Sequence, residues 1–343
     1  MSTILILGAG MMGSAMAWPA TDNGNAVRLV GTHLDNDIID SIKATGWHPT
    51  LKFQMPQRLT AYRYEELGQA LDGDIAFVIG GVSSFGVEWF AKTALPRIPD
   101  TLPILSITKG MQDLEDGTLV CFPHYIKMLN PSLKHNLNAV GGPCTSYELS
   151  SRNQTCVDFC GDDMATLEMF KRTLQTSYYH ITPSTDVIGV EAAVAMKNAY
   201  ALAITMCIGL DEAARGVGCV ESNNPQAAVF GQATLEMTRI LKVTGGGVDL
   251  LPLGAGDLYV TVYGGRTRKL GILLGRGMSY ADAREQLKGI TLESVEITTR
   301  AARGIRRMAE LGKVNLQDFP LLIFIDNVLH HGAKPNIPWD DFR

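Results

Sequence analysis

Lys197 lies in the run EAAVAMKNAYALAITMCIGLD, where no other charged residue falls between Glu191 and Asp211. An ammonium in so apolar a helical stretch can snorkel to water, pair with an acid for structure, or have its proton affinity set by burial. The last would make it a proton donor and acceptor. Lys109, in SITKGMQD, directly follows the apolar run Ile104–Ile107, and the rigid turn Gly141-Gly142-Pro143-Cys144 follows Leu137–Val140. Residues just beyond the carboxyl ends of parallel strands are where open α/β sheets hold ligands, although a surface lysine and an ordinary loop satisfy the same pattern. The densest group is GAGDLYVTVYGGRTRKLG, with Asp257 between glycine turns and Arg266 directly after Gly264-Gly265. A guanidinium on a glycine-rich bend can grip phosphate with two parallel donors; a solvated basic turn is the plainer alternative.

Near the start, Gly8-Ala9-Gly10-Met11-Met12-Gly13 follows an apolar strand and leads into the small-residue segment Ser14-Ala15-Met16-Ala17. In that setting the first glycine permits a tight turn, the second admits a pyrophosphate to the backbone, and the third lets helix and strand pack closely. The spacing predicts a dinucleotide loop. The residues that would choose between NAD and NADP stand at the end of the next strand, which reads VGTHLDND. Thr32 and His33 can donate to a 2′-phosphate, and Asp35 can serve a free ribose if the strand runs longer, so the sequence leans to NADP.

The elements that must position these groups change character along the chain. Up to about residue 185, short apolar runs alternate with longer mixed segments, as in a parallel α/β sheet, with strands expected at Ile4–Leu7, Val27–Val30, Ile75–Ile79, Ile104–Ile107 and Leu137–Val140. Two more are expected near Thr155–Phe159 and Tyr178–Ile181. After Asp186, the segments EAAVAMKNAYALAITMCIGL, PQAAVFGQATLEMTRILK, SYADAREQLK and LESVEITTRAARGIRRMAELG are helical in period, with no strand between them. The expected architecture is a Rossmann-type doubly wound domain over residues 1–185 and an all-α substrate-binding and catalytic domain over residues 186–343. No Pro/Gly-rich linker marks the join, so a shared cleft is expected.

Length and composition agree with two globular domains: 343 residues, 46% hydrophobic and 19% charged. A formal charge of −5 gives no basic excess for nucleic acid or an anionic membrane. The six cysteines contain no CxxC pair and no metal-ligand spacing, so no metal is expected and reduced thiols of a cytoplasmic enzyme fit best. The apolar run from Ile4 breaks at Gly8, too short for a membrane span and without a basic n-region before it.

Taken in order, GAGMMGSAMA, SITKGM, GGPCTSYE, EAAVAMKNAYALA, LPLGAGDLYVTVYGGRTRKLG and the late LESVE segment resemble the successive blocks of the NAD(P)-dependent glycerol-3-phosphate dehydrogenase family. The likeness covers nearly the whole chain. It implies a cytoplasmic homodimer that moves hydride between NAD or NADP and C2 of a three-carbon polyol phosphate. By the same resemblance Lys197 is the general acid/base, Lys109 holds and polarises the reacting group beside the cofactor, and Asp257 interacts with the catalytic lysine. Asn198, Thr261, Arg266 and Thr267 fall on the substrate side, with Arg266 gripping phosphate. Gly8, Gly10, Met11, Met12, Gly13, Thr32, His33, Lys109, Arg266 and Glu293 fall on the cofactor side.

The chain departs from the family at four places. Thr267 stands where the family usually has Asn, Met12 where an aromatic residue is common, Cys144 where Ser or Thr is usual, and Asn224-Pro225-Gln226 where Asn-Thr-Lys is common. Loss of an amide and a lysine leaves a four- or five-carbon polyol phosphate open as the substrate. A non-catalytic nucleotide sensor on the same fold is a further alternative, disfavoured by the retention of Lys109, Lys197, Asp257 and Arg266.

Overall fold

The computed structural model describes residues 1–342; Arg343 lies outside the described residues. The chain divides into two units, Met1–Lys109 with Phe122–Val190, and Gly110–Cys121 with the residues from Glu191 onward. The twelve-residue excursion differs from the expected split, which assigned all of 1–185 to one domain.

In the first unit, β1 (Thr3–Leu7), β2 (Ala26–Val30), β3 (Leu59–Tyr62), β4 (Ile75–Gly80), β5 (Ile104–Ser106), β6 (Leu137–Gly141), β7 (Thr155–Cys160) and β8 (Tyr179–Ser184) form one sheet. Its order is β8-β7-β6-β5-β4-β1-β2-β3, parallel throughout except where β7 runs antiparallel to β6. The chain reverses direction across the sheet between β1 and β4, which is the switch point of a doubly wound fold. Alternate residues serve opposite faces. Ile4, Ile6, Phe77 and Ile79 pack with Trp18 and Phe170, while Leu5, Leu7 and Val78 pack with Leu67, Phe90 and Ile126. Covering on both faces explains why these strands read as unbroken apolar runs. The expected strands coincide with β1, β2 and β4–β7 to within a residue at their ends, and with β8 except that it runs three residues further, to Ser184. The edge strand β3 escaped because, of LTAY, only Ala61 is buried, so there was no apolar run to see.

The second unit is helical: α1 (Val187–Ala195), whose first turn belongs to the other unit, α2 (Lys197–Arg215), α3 (Asn223–Thr244), α4 (Leu251–Val262), α5 (Gly265–Gly275), α6 (Tyr280–Gln286), α7 (Glu293–Glu310) and α8 (Pro320–His330). Taken as one helix, Val187–Arg215 is long and apolar enough to cross a membrane, but 83% of its apolar window is buried within the fold. It is the central core helix, around which the others pack. Added Cβ atoms on Gly271 and Gly275 of α5 would collide with Thr205 and the Met206 carbonyl of α2, so these glycines set how closely the two helices approach. The excursion 110–121 is a hairpin, Met111–Asp113 with Leu119–Cys121. Its Met111 and Leu119 join the helical core, and its Asp113 carboxylate, nearly buried, accepts two hydrogen bonds from the Arg303 guanidinium on α7. A buried carboxylate, Glu236 on α3, ties three helices together: it accepts from the Leu321 and Leu322 amides at the start of α8 (2.8 and 3.0 Å), Gln232 Nε2 (2.9 Å) and the Tyr200 hydroxyl of α2 (3.1 Å). Burial pushes its carboxyl up to about 7, although all four donors favour the anion.

Candidate functional site

In the first unit, Gly8 leaves β1 with φ +115°, a left-handed value that a side chain would strain, and a Cβ there would run into the Gly81 carbonyl after β4. A Cβ on Gly13 would strike the Gly8 carbonyl, whereas a Cβ on Gly10 would meet nothing within 4 Å. Two glycines are therefore demanded by packing, and the third faces open space at the start of a helical run. That run, Met11–Ala15 and Ala17–Asp22, is joined through Met16, which keeps helical angles, and no side chain caps it at Gly10. Bare backbone facing outward at a helix start suits an anionic pyrophosphate, so the loop fits a dinucleotide.

The end of β2 is organised differently from expectation. Asp35 Oδ2 accepts from the Thr32 amide (2.8 Å), the Thr32 hydroxyl (2.9 Å) and the Ala9 amide of the glycine loop (3.1 Å). The Thr32 hydroxyl, read from sequence as a donor to a 2′-phosphate, is thus spent on Asp35, and Asp35 is turned to the loop. His33 is exposed and leans on the Trp89 ring, 5.3 Å between centroids. Lys109, past the end of β5, donates from Nζ to the Gly142 carbonyl at 2.6 Å, bridging to the turn after β6. Another residue touches the loop without having been anticipated: His48, whose ring lies 3.0 Å from the Ala9 carbonyl. No spacing rule marks it, because it comes from a two-residue strand 39 positions away.

In the second unit, Lys197 opens α2 directly after Met196, where the helix breaks for one residue. Its Nζ donates to Asp257 Oδ1 at 2.5 Å; the two side chains are 13% and 0% exposed. Asp257 is in the middle of α4, which corrects the reading of its neighbourhood as glycine turns. Gly254, one helical turn before it, packs so tightly on the Ala193 carbonyl of α1 and the Met237 methyl that a Cβ would collide with both. The glycine is a contact point that brings α4 close enough for a short aspartate to reach the lysine. Thr261, one turn beyond Asp257, gives its hydroxyl to the Asp257 carbonyl at 2.7 Å, and Asn198 is half-buried beside Lys197.

Gly264 caps α5, Gly265 takes φ +81°, and Arg266 follows in the first turn with buried Thr267 behind it. Arg266 Nη2 pairs with Glu293 at the start of α7 at 3.3 Å, with the two side chains 41% and 29% exposed. Arg268 is committed elsewhere, to Glu221 at 2.6 Å and the Val262 carbonyl at 2.9 Å. The unit thus gathers Lys197, Asn198, Asp257 and Thr261 around α2 and α4, and Arg266, Thr267 and Glu293 around the start of α5. Among the described residues, no three or more His, Cys, Asp or Glu cluster as metal ligands.

Comparison with known proteins decides the family. Residues 3–166 match the N-terminal model of NAD-dependent glycerol-3-phosphate dehydrogenase, and residues 186–339 match its C-terminal model. The chain belongs to that family. Among its relatives, the NADP(+)-dependent glycerol-3-phosphate dehydrogenase of Archaeoglobus fulgidus is 33% identical over 333 residues, 96% of each chain. The glycerol-3-phosphate dehydrogenase [NAD(P)+] of Koribacter versatilis is 28% identical, with 98% of this chain and 95% of that protein covered. The crystal structure of the Coxiella burnetii glycerol-3-phosphate dehydrogenase superposes with a TM-score of 0.80 at 25% identity, covering 97% of this chain and 96% of that one. Family membership makes the protein an oxidoreductase that uses NAD or NADP, in agreement with the fit of the glycine loop.

Proposed function

We propose that the protein interconverts sn-glycerol 3-phosphate and dihydroxyacetone phosphate, with Lys197 as general acid/base and NADP as the preferred cofactor. The observation that carries this reading is the Lys197–Asp257 pair, 2.5 Å apart with the carboxylate fully buried. The nicotinamide, when bound, supplies or accepts the hydride at C2. Negative charge that builds on the C2 oxygen during reduction is met by the Lys197 ammonium, which then gives that oxygen a proton; in oxidation the neutral amine takes it back. Asp257 holds one N–H and so orients the others, while the partial exposure of Lys197 lets its proton be replaced from water. The family resemblance assigns Lys109 the part of holding and polarising the reacting group beside the cofactor.

Arg266 is the reading's phosphate ligand. Its contact with Glu293 is half-exposed and therefore weak, so the guanidinium can turn both parallel donors to a phosphate at the start of α5, with the Thr267 hydroxyl close behind. The NADP preference draws on exposed His33 and on the absence of an acid at Gly31, Thr32 or His33. The Archaeoglobus relative, whose name specifies NADP(+), supports it. A cytoplasmic homodimer completes the reading and rests on the family resemblance.

The test is a steady-state panel: NADH and NADPH, each against dihydroxyacetone phosphate and against four- and five-carbon ketose phosphates. Highest kcat/KM with NADPH and the three-carbon substrate is expected. Negligible turnover of that substrate beside a good rate on a longer one would transfer the activity to another polyol phosphate, the outcome that Thr267 in place of Asn would then explain. Cofactor binding without turnover on any of them would leave a nucleotide sensor.

A further inference from the structure

The backbone of Ala9, between the first two glycines of the cofactor loop, is held at both its N–H and its carbonyl. Its N–H donates to Asp35 Oδ2 at 3.1 Å, and its carbonyl accepts from His48 Nε2 at 3.0 Å and Ser14 Oγ at 3.3 Å. Ala9 and His48 are fully buried. The Leu51 amide donates to His48 Nδ1 at 3.0 Å, so Nδ1 must be bare and the ring proton must sit on Nε2, where the Ala9 carbonyl needs a donor. Each contact fixes the tautomer the other requires.

The imidazole is itself well supported. It sits in a short hairpin, Trp47–His48 with Phe53–Gln54, closed by the Lys52 amide on the His48 carbonyl and the Met55 amide on the Gly46 carbonyl, each 2.8 Å. Phe53 packs edge-on against Trp18 of the helical run that follows the glycine loop, 5.7 Å between centroids. The hairpin therefore grips both the loop and the helix that the loop opens.

We propose that His48 is a positioning residue for the cofactor: with Asp35 it locks the Ala9 peptide, and thereby the Gly10 edge and the first helical amides, in the shape that receives the pyrophosphate. A loop this rich in glycine would otherwise sample many backbone conformations and lose entropy on binding. The hairpin bearing His48 removes that cost beforehand. Protonation keeps the Nε2–H donor to Ala9 but puts a proton on Nδ1 opposite the Leu51 amide, so it breaks the contact that sets the ring in the hairpin and with it the placement of the brace. Burial pushes His48 below the ordinary imidazole range, opposed by the Ala9 carbonyl and by Asp35, the charged group that faces it. The neighbouring Lys52 is exposed. The neutral form is thus held through neutral pH, and cofactor affinity is lost as pH falls through the depressed value.

The inference rests on the cofactor reading of Gly8–Gly13, and the experiment separates the two. Dissociation constants for NADH, which carries no 2′-phosphate to titrate, are measured by fluorescence from pH 5 to 8 for the wild type, His48→Leu and His48→Gln, alongside thermal melts and steady-state kinetics. His48→Leu should raise the NADH dissociation constant and KM roughly five- to tenfold, with kcat at saturating cofactor within about twofold. His48→Gln, whose amide can still donate to Ala9, should recover most of the affinity at neutral pH and lose the acid-side weakening shown by the wild type. Unchanged affinity in His48→Leu overturns the proposal. So does an acid limb that persists in His48→Gln, which also decides the matter if the leucine variant does not fold. A wild type that binds no nicotinamide nucleotide would instead refute the cofactor reading itself.

Discussion

Removing the ammonium from Lys197 separates its structural role from the proton-transfer role proposed for it. Lys197→Met keeps most of the side-chain volume but leaves the Asp257 carboxylate, 0% exposed, without its partner at 2.5 Å. Removing one partner of a buried ion pair costs about 3–5 kcal/mol. At about 2–4 °C per kcal/mol for a domain of 150–250 residues, the melting temperature should drop by roughly 6–20 °C. Turnover should fall by about two to four powers of ten, the usual worth of a positioned acid/base. The double variant Lys197→Met/Asp257→Leu replaces the ion pair with apolar side chains, a change that is often neutral or stabilising. It should regain most of the lost stability and none of the lost turnover. Thermal melts and steady-state kcat on the three proteins, with cofactor titrations to show that the first unit still binds, check this. If the double variant recovered activity together with stability, the lysine would be a structural ion-pair partner and the proton-transfer reasoning would fail.

Two further outcomes follow from the helical unit. Arg266→Ala should lower kcat/KM for the phosphorylated substrate by roughly 10- to 100-fold, from the loss of charge-assisted hydrogen bonds, and most of the change should fall in KM; unchanged constants would remove Arg266 from the phosphate site. Glu236, raised by burial to about 7, binds a proton more readily folded than unfolded, so its contribution to stability is full below the unfolded value near 4.5 and is lost as pH rises through about 7. Denaturation of the wild type and of Glu236→Gln from pH 4 to 8 should therefore differ by a pH-dependent term of up to about 3 kcal/mol. Parallel profiles would mean that the four donors keep the carboxylate ionised throughout.

The sheet and the glycine loop could be read in the sequence because both faces of the sheet are buried, which turns each strand into a compact apolar run, and because the loop's three glycines answer to contacts within one βαβ unit. The helices α1, α2, α3 and α7 were legible for a similar reason: their periodicity is long. The stretch 251–275 was not. Gly254, Gly256 and Gly271 look like turn formers, yet they lie inside helices, and at Gly254 and Gly271 the missing Cβ serves close approach to a neighbouring helix.

Residue types and spacing by themselves gave a dinucleotide-type glycine loop and a helical second half; the roles expected of Lys197, Asp257 and Arg266 came from the resemblance of the ordered blocks to the family. The tertiary structure brings Lys197 to Asp257, as the resemblance implied, and decided the contacts that nothing in the sequence announced: Arg266 with Glu293, and the Thr32 hydroxyl with Asp35 in place of a ligand. It also decided that the hairpin 110–121 belongs with the helices and that His48 reaches the loop. These contacts join residues tens of positions apart, and which of them forms depends on how closely backbones can approach, a property that no local pattern of side chains carries.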